Sequence, residues 1–379
     1  MTCENAIFMI RYIIAKWSEY VNIYEKILVY YYYIFILVQR VLGTKIYCIL
    51  SNIGIIGSRK EFRSTDLSQL HMRWRDAMKS ALKKIGVVFG VLVGLILLAN
   101  LAFYTLGESR LKHVYRIPEE FVPIPNDKES LAEGKRIFQY RGCEACHGEE
   151  LQGLIYLDNP AIGQVITPNL TTGEGGVGAQ RMEKELLRAI WHGVRPDGTP
   201  LLFMPSTEFY FLSIKDVGRV IAYIRSMPPT NNEMPASKLS VTGRIVMNIA
   251  KEITFLPAEL IPHEALRPAA PQPGVTAEYG EYLSYSCKVC HGLTLSGGEI
   301  PGFPPEWPSA PNLTSGKGSR LPTWGEAGFI EIIRTGKKHG RSINPDYMPW
   351  KSYRHMTDDE LRAVYIYLQS VPPKDFGNR

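Results

Sequence analysis

The chain contains the same five-residue motif twice, and this repeat constrains its fold more than any other feature. Residues 143–147 read Cys-Glu-Ala-Cys-His and residues 287–291 read Cys-Lys-Val-Cys-His, a shift of 144. Four other features recur at a shift of 143 or 144, namely Met204-Pro205 as Met348-Pro349, Tyr223 as Tyr367, 226–229 as 370–373, and 167–171 as 310–314. Self-similarity at one fixed period indicates that a single structural unit was duplicated.

Each unit is predicted to be mostly helical. Ser213 and Thr357 begin capping boxes, in which an acidic residue stands at the third helical position. The runs that follow, 214–227 and 358–371, space their apolar residues by three and four and stop at a Pro-Pro pair, which cannot continue a helix. Further expectations are short helices at 183–191 and 325–334, an amphipathic helix at 241–253, and loops at 173–178 and 301–311. We therefore predict an all-α fold class.

The repeated motif is the attachment sequence for haem c. On a helical turn its two cysteines at i and i+3 and its histidine at i+4 face one side. The thiols would bind the haem vinyl groups as thioethers, and the imidazole would bind the iron. A redox dithiol or half of a zinc site would not explain a histidine after both cysteine pairs. We predict two covalently bound haem c groups, held by Cys143, Cys146 and His147 and by Cys287, Cys290 and His291.

The sixth iron ligand is predicted from a second coincidence of spacing. Met204 lies 57 residues after His147, Met348 lies 57 residues after His291, and both precede a proline. A lone methionine usually fills a core, but two at one offset in two repeats indicate a shared role. With His147, Met204, His291 and Met348 as iron ligands, both axial positions are filled, which leaves electron transfer rather than catalysis. We predict no catalytic residue.

Other residues near the motifs have weaker claims. The carbonyls of Pro168 and Pro311 could accept the N–H of the proximal imidazoles and fix their tautomers, although both prolines could also simply turn a loop. His192 and His339 stand at different offsets from their methionines, so we expect exposed or structural roles. The methionines that break the repeat are Met182, Met227, Met234, Met247 and Met356.

A membrane segment precedes the repeats. Residues 85–106 contain no charge and are long enough to cross a bilayer as a helix. Five basic residues lie between 73 and 84, and the first charge on the other side is Glu108, so the positive-inside rule leaves the repeats outside the cytoplasm. A cleaved signal peptide is the alternative, but the apolar run is longer than such segments usually are. We predict a single-pass protein of the cytoplasmic (inner) membrane, in contact with membrane lipid, with the haem domains in the periplasm or on the outer face.

The N-terminal segment 1–84 has a different composition. It holds 13 Lys/Arg against 6 Asp/Glu, whereas the rest of the chain holds 30 against 31, so the folded units offer no basic face for nucleic acid. An apolar run at 27–38 could be an additional membrane helix. The alternative, which we favour, is that the natural start is Met72 or Met78.

The two units resemble class I c-type cytochrome domains. The first contains ITPNLT at 166–171, GVRPDGTPLLFMP at 193–205, LSIKDVGRVIAYIRSMPP at 212–229 and Gly134-x-x-x-Phe138. These segments resemble the cytochrome c subunits of membrane alcohol, aldehyde and gluconate dehydrogenases. The resemblance covers about 130–229 and 275–373 and implies small helical domains with a haem between the first and last helices. Those subunits usually carry three haems, whereas this chain has two motifs.

These observations predict a domain order and a function. The order is a basic and apolar segment at 1–84, a transmembrane helix at 85–106, a linker at 107–129, cytochrome c domain 1 at 130–229, a linker with a short amphipathic helix at 230–274, and cytochrome c domain 2 at 275–379. We expect a periplasm-facing electron carrier between a dehydrogenase or quinol-oxidising complex and a terminal oxidase or soluble cytochrome. Its expected partners are dehydrogenase or oxidase subunits and other cytochromes. The alternatives are a dihaem enzyme of peroxidase or thiosulfate-oxidising type, or an integral dihaem subunit of a haem–copper oxidase.

The two haems are not expected to be equivalent. Residues 201–203 before the first methionine are Leu-Leu-Phe, and residues 344–347 before the second are Asn-Pro-Asp-Tyr. A drier pocket disfavours the extra charge of ferric haem, so we predict the higher potential for the first. The basic cluster 337–341 could dock an acidic partner, although a solvated charge run is the simpler interpretation.

Overall fold

A computed structural model describes residues 67–379 apart from 179–182, 266–268, 304–305 and 339. The chain divides into two compact units, Met1–Leu106 and Gly107–Arg379. The predictions made for residues 1–66, for Met182 and for His339 lie outside the described residues.

The predicted membrane segment lies within one long helix, α1 (Leu67–Leu111). Within it, Arg75–Leu111 is long and apolar enough to cross a membrane, judged by length and composition, and none of its most apolar window is buried. The helix extends past both ends of the predicted span because the flanking Lys, Arg and Glu residues are themselves good helix formers.

In its described residues, the first repeat contains five helices and a hairpin. In chain order these are α2 (Lys128–Tyr140), α3 (Cys143–His147), β1 (Ile155–Asn159), β2 (Gly163–Ile166), α4 (Glu183–His192), α5 (Ser206–Phe209) and α6 (Ile214–Ser226). The connecting segment adds β3 (Lys238–Leu239), α7 (Val241–Ile249) and a 3₁₀ helix (Pro257–Leu260).

The second repeat has a similar order, but its described residues contain no hairpin directly after the motif. Its elements are α8 (Ala277–Leu283), α9 (Tyr285–His291), α10 (Leu321–Thr335), β4 (Lys337–Lys338), β5 (Arg341–Ser342), α11 (Trp350–Tyr353) and α12 (Asp358–Ser370).

The helix-rich architecture agrees with the predicted fold class, and the differences are local. Helix α10 begins at Leu321, four residues before the prediction, and bends at Gly325, where φ is 62°. Helix α7 ends at Ile249 instead of 253. The antiparallel sheet β1-β2-β3 and the hairpin β4-β5 were not predicted, because strands of two to five residues are too short to show a periodicity.

One glycine in each repeat lets the first helix cross the last at close range. A Cβ built on Gly134 in α2 would lie 2.0 Å from the carbonyl oxygen of Arg219 in α6. A Cβ on Gly280 in α8 would lie 2.0 Å from the carbonyl oxygen of Ala363 in α12. Only glycine allows backbones this close, so each repeat is built around the same helix crossing.

The two repeats are joined by reciprocal contacts between equivalent positions. Arg136, two residues after Gly134, donates to both carboxylate oxygens of Glu360, at 2.7 and 2.6 Å. Tyr282, two residues after Gly280, donates its hydroxyl to Asp216. Asp216 and Glu360 are the third residues of α6 and α12, so each repeat reaches the capped end of the other's last helix. This self-complementary pattern is that of a two-fold interface.

The capped helix ends differ in one respect. Thr357 and Glu360 form the complete capping box that the sequence predicted. The Ser213 side chain accepts from Asp216 N at 2.9 Å, but the backbone N–H of Ser213 donates to the Tyr282 hydroxyl at 3.0 Å. Tyr282 thus completes the first cap from the other repeat. Buried apolar side chains of both repeats form one contiguous core, and together these contacts hold the two sites in a fixed relation.

Candidate haem-binding sites

The eight predicted cysteine, histidine and methionine residues come together in two cavities. The first cavity is lined by Cys143, Cys146, His147 and Met204 among mainly apolar neighbours. The second is lined by Cys287, Cys290, His291 and Met348. Two thiols, an imidazole and a thioether around apolar space are the donor set that a covalently attached haem requires, so the residues present fit that group.

Each motif forms a short helix that the chain leaves sharply. Gly148 and Gly292 follow the two histidines with φ of 80° and 81°, which favours glycine. Three residues later, Leu151 and Leu295 adopt φ of 57° and 60°, although they are not glycines. Such strain persists only where the surroundings impose it. The same strained position in both repeats shows that the loop beneath the motif has one geometry.

The proximal imidazoles are oriented by backbone carbonyls. His147 Nδ1 lies 3.3 Å from the carbonyl oxygen of Pro168, and His291 Nδ1 lies 2.8 Å from that of Pro311. Burial lowers the pKa of both histidines to about 4, against the smaller opposite effect of these bonds. The imidazoles are therefore neutral near pH 7. With the proton at Nδ1 donated to the carbonyl, Nε2 keeps its lone pair for a metal ion.

A buried side-chain network places those carbonyls. Asn169 donates to the Thr230 carbonyl at 2.7 Å, and Thr171 accepts from the Thr230 N–H at 3.0 Å. In the second repeat Asn312 and Thr314 make the same two bonds to Lys374, at 2.8 and 3.1 Å. Thr230 and Lys374 directly follow the Pro-Pro pairs that come after the last helices of the two repeats. The repeated Asn-Leu-Thr sequence therefore ties the loop that carries each proline to the chain after α6 or α12.

The cysteines are not poised as a redox dithiol. Burial raises the pKa of Cys143 and Cys287 to about 12 and that of Cys146 to about 11. A reactive dithiol needs a depressed thiol pKa. In the described part of the chain no three His, Cys, Asp or Glu side chains converge as a metal site, so the half-zinc alternative has no completing ligands there.

The two methionines occupy equivalent backbone settings. Pro205 and Pro349 are the N-cap residues of α5 and α11, with φ and ψ of −77° and 53° and of −77° and 54°. The backbone N–H two residues after each methionine donates to its carbonyl at 2.7 Å. Met356 also lines the second cavity, but its counterpart in the first repeat is Leu212, also a cavity wall residue. Only Met204 and Met348 share a repeat position.

The covers over the methionines differ. Phe203 packs against Phe255 of the connecting segment, with ring centroids 4.8 Å apart, and Phe255 is 2% exposed. At the second cavity, Tyr347 is 37% exposed and packs against Trp307. The first cavity is therefore covered by the half-buried Phe203, which packs on the buried Phe255, and the second by the more exposed Tyr347.

The structure also identifies two charged residues that the sequence analysis did not single out. Arg141, two residues before Cys143, lines both cavities. Burial raises the pKa of Glu208 in α5 to about 7, with smaller opposite effects from Ser286 and Arg141. Neither residue has a like counterpart at the equivalent position, because the second repeat has Tyr285 and Ser352 there. A search for charges that break the repeat near each motif would have found Arg141, and the same search near each methionine would have found Glu208.

The remaining candidate histidine has a structural role, one of the two expected for it. His192 is 1% exposed and lies within hydrogen-bonding distance of Glu120, at 2.8 Å, and of His263, at 2.9 Å. It ties the connecting segment to the first repeat and does not line either cavity.

Comparison with known proteins agrees with this geometry. The cytochrome c family model matches residues 131–228 and 277–372, about half of the chain. The chain is 26% identical over 286 residues to the fructose dehydrogenase cytochrome subunit of Gluconobacter japonicus, covering 68% of this chain and 56% of that protein. It is 26% identical to the cytochrome c subunit of the alcohol dehydrogenase (quinone) of Gluconobacter oxydans, covering 65% and 55%.

A shorter relative matches nearly its whole length. The chain is 25% identical to a dihaem cytochrome c-type protein of Cereibacter sphaeroides, covering 66% of this chain and 91% of that protein. The chain spans only about half the length of the dehydrogenase subunits it matches. The match to two family regions, each with its attachment motif, means that the protein has two covalently bound haem c groups. The chain belongs to the cytochrome c family.

Proposed function

We propose that the protein is a membrane-anchored dihaem electron carrier, the cytochrome subunit or partner of a dehydrogenase. In each site two cysteines (143 and 146, 287 and 290) would hold the haem covalently. His147 with Met204, and His291 with Met348, would be the axial ligands. Bound haem supplies a reversible one-electron change at its iron. The observation that carries the proposal is that each cavity brings an oriented neutral imidazole and a thioether together.

The surrounding residues have three tasks in this proposal. The carbonyls of Pro168 and Pro311 hold the imidazole proton at Nδ1, so the ligand nitrogen needs no proton transfer during turnover. The apolar walls exclude water, which would otherwise compete for the iron. The Asn-Leu-Thr networks keep the carbonyls in place as the iron charge changes. Each centre is thus suited to change its charge with little rearrangement.

The ligand assignment is tested by haem content and ligand binding. Pyridine haemochrome assay should give two haems per polypeptide, and spectra of the ferric protein should show methionine ligation at both. The ferrous protein should resist carbon monoxide, because neither iron has a vacant position. A centre that is five-coordinate at rest would contradict the assignment and favour the dihaem-enzyme alternative.

The expected partners are a dehydrogenase or quinol-oxidising complex on one side and a terminal oxidase or soluble cytochrome on the other. The similarity to cytochrome subunits of fructose and alcohol dehydrogenases supports the first partner. Co-purification in mild detergent, followed by identification of the bound proteins, tests it. Recovery of intact oxidase subunits in fixed stoichiometry, without a dehydrogenase, would support the integral-oxidase-subunit alternative.

The proposed location is the cytoplasmic membrane, crossed once by α1, with both haem domains on the outer face. The apolar helix and the basic residues before it support this orientation. Protease added to intact spheroplasts should release the haem-bearing fragment. Protection of that fragment until the membrane is lysed would contradict the orientation.

A further inference from the structure

The hairpin after the first attachment motif carries an exposed apolar patch. Leu154, Ile155 and Tyr156 are consecutive, lie at the start of the hairpin, and are 36%, 55% and 52% exposed. Single exposed apolar residues are ordinary on a protein surface, whereas contiguous ones mark interaction sites. We call these three residues the hairpin patch.

The hairpin patch lies directly against the first haem-binding cavity. Tyr156 is a lining residue of that cavity although half of its side chain is exposed, so its ring lies between the cavity and solvent. Leu154 is tied to the motif through Thr167, whose hydroxyl accepts from the Leu154 N–H at 2.8 Å and donates to the Cys146 carbonyl. A protein that contacts the patch would therefore stand beside the second cysteine of the motif, at the edge where the haem is attached.

Carboxylates flank the hairpin patch, with few cations to offset them. Residues 142–180 contain five Asp or Glu and no Lys or Arg. The exposed ones are Glu149, Glu150, Asp158 and Glu174. Asp158 shares a strand face with Tyr156, because side chains two apart in a strand point the same way. Lys238 lies across β2 from Asp158 and offsets one of these charges. The surface beside the first motif is therefore apolar at its centre and negative at its rim.

The second repeat differs at the equivalent positions. A shift of 144 places residues 298–300, Gly-Glu-Ile, opposite the hairpin patch. Three carboxylates are replaced under the same shift, Glu144 by Lys288, Glu149 by Leu293 and Glu150 by Thr294. Arg379 adds a positive charge beside the second motif, since its guanidinium donates to the Cys290 carbonyl at 2.9 Å. The apolar centre with its acidic rim is thus specific to the first motif.

We propose that the hairpin patch is the docking surface for a soluble redox protein whose own redox centre is ringed by Lys and Arg. Opposite charges around a small apolar contact steer the encounter of two proteins and fix its orientation. The same carboxylates repel an anionic lipid surface and the like surface of a second copy of this chain.

In the docked pair, one electron leaves the ferrous iron of the first haem and reduces the oxidised centre of the partner, and no bond is made or broken. This inference rests on the proposed function in requiring a haem at the first motif. It adds to that function the chemistry of the soluble partner and the site where it binds.

The experiment measures binding of the detergent-solubilised full-length protein to a lysine-rich soluble cytochrome c by surface plasmon resonance. The ionic strengths are about 0.01 and 0.15 M, with screening lengths of about 30 and 8 Å. The parent protein should bind the probe at the lower value and lose roughly tenfold or more of its affinity at the higher. The double variant Glu149→Gln, Glu150→Gln should lose most of the affinity at low salt and most of the salt dependence.

Two further variants separate the centre of the surface from its rim. Ile155→Ser should weaken binding by a similar factor at both ionic strengths, because it removes apolar contact and no charge. The matched control is the double variant Glu278→Gln, Glu331→Gln, which removes two exposed carboxylates from helices of the second repeat and should leave both affinities unchanged. Equal affinities for the parent and the Glu149, Glu150 variant, or an equal loss in the control, would overturn the proposal.

The redox step and the competing occupant have their own readouts. Stopped-flow reduction of the ferric probe by the pre-reduced protein should slow in the Glu149, Glu150 variant and not in the control. A dimer of the full-length protein that Ile155→Ser dissociates in analytical ultracentrifugation would assign the patch to a second copy and overturn the proposal.

Haem content separates this inference from the proposed function. Two methionine-ligated haems in a protein whose probe binding ignores the Glu149, Glu150 variant would reject the docking surface alone. Fewer than two haems in the parent protein would reject the haem assignment itself. All the altered side chains are exposed, so each variant should fold with the parent's haem content.

Discussion

The two repeats have kept the same internal supports and changed the walls around them. Both contain the glycine crossing at 134 or 280, the carbonyl-oriented histidine and the Asn-Leu-Thr network. Their cavities differ, because the first is lined only by residues 138–237, whereas the second takes Tyr140 and Arg141 from the other repeat. The duplication thus preserved what orients the proposed iron ligands and altered the local charge and polarity.

These differences between the cavities bear on which haem has the higher reduction potential. The first cavity has an aromatic cover, made of the half-buried Phe203 and the buried Phe255, and the cation Arg195 in its wall. The second has the more exposed Tyr347, and the negative charge of Glu208 acts on its cysteines. A dry wall and a cation favour ferrous iron, and an anion favours ferric iron. The exposure of Tyr347 and the charge of Glu208 support a higher potential for the first haem, whereas Arg379, which acts on Cys290 and His291, opposes it. A redox titration with assigned waves tests the order of the two potentials.

Replacing one candidate methionine at a time should change the reduction potentials more than any other variant. It should also show which wave of a potentiometric titration belongs to which haem. Met204→His and Met348→His would each exchange a thioether for an imidazole, and axial ligands tune haem potentials over a span of roughly 0.8 V. We expect the reduction potential of the altered haem to fall by a few tenths of that span, and the potential of the other haem to stay unchanged. In a potentiometric titration, Met204→His should move the higher wave and Met348→His the lower.

Met356→Leu is the matched control for the second cavity, because it alters a methionine in the same wall and restores the residue type of the first repeat. It should leave both waves nearly in place. A large fall with this variant and none with Met348→His would transfer the ligand role to Met356. A fall of the higher wave in Met348→His would reverse the order of the two haems.

Disrupting each of the two reciprocal contacts between the repeats should lower the free energy of unfolding, by different amounts. Arg136→Met leaves Glu360, whose side chain is 7% exposed, without its ion-pair partner, which typically costs about 3–5 kcal/mol of unfolding free energy. Tyr282→Phe removes one hydroxyl from Asp216 and Ser213, which typically costs about 1.5–3 kcal/mol for a bond to a charged group. Guanidinium denaturation followed by tryptophan fluorescence measures both.

The surface pair Arg362–Asp359, with side chains 45% and 70% exposed, provides the control. Arg362→Met should cost about 0–1 kcal/mol. Equal losses for Arg136→Met and Arg362→Met would mean that the interface contributes little, and a larger loss for Tyr282→Phe would reverse the order of the two halves.

The sequence predicted those parts of the molecule that depend on local chemistry repeated twice. The motif residues, the methionines at equal offset and the capped last helices α6 and α12 all followed from spacing. The strands were missed because two to five residues carry no readable period. Arg141, Glu208 and Tyr282 were missed for another reason. Their roles depend on contacts between the repeats, and a chain pattern gives no information on which surfaces of two similar domains meet.

The smallest expected effect is a pH dependence that distinguishes the two haems. Burial raises the pKa of Glu208 to about 7, so its carboxyl is neutral below that pH and ionised above it. Its negative charge adds to the main effect of burial in raising the pKa of the Cys287 and Cys290 thiols, which shows that its field reaches the second motif. Ionisation favours ferric iron, so the second haem's potential should fall as pH rises from about 6 to about 8. The slope should stay below the 59 mV per pH unit of full one-electron coupling.

Glu208→Gln keeps the size of the side chain and removes the titration, so it should flatten this slope while the first haem serves as the internal reference. Titrations at pH 6, 7 and 8 are sufficient. An unchanged slope in Glu208→Gln would assign the pH dependence to another group. A steeper slope for the first haem than for the second would mean that the titrating charge lies nearer the first haem, which would contradict the prediction. Because the duplicated ligand sets are the same in both sites, a slope specific to the second haem can arise only from what the repeats do not share.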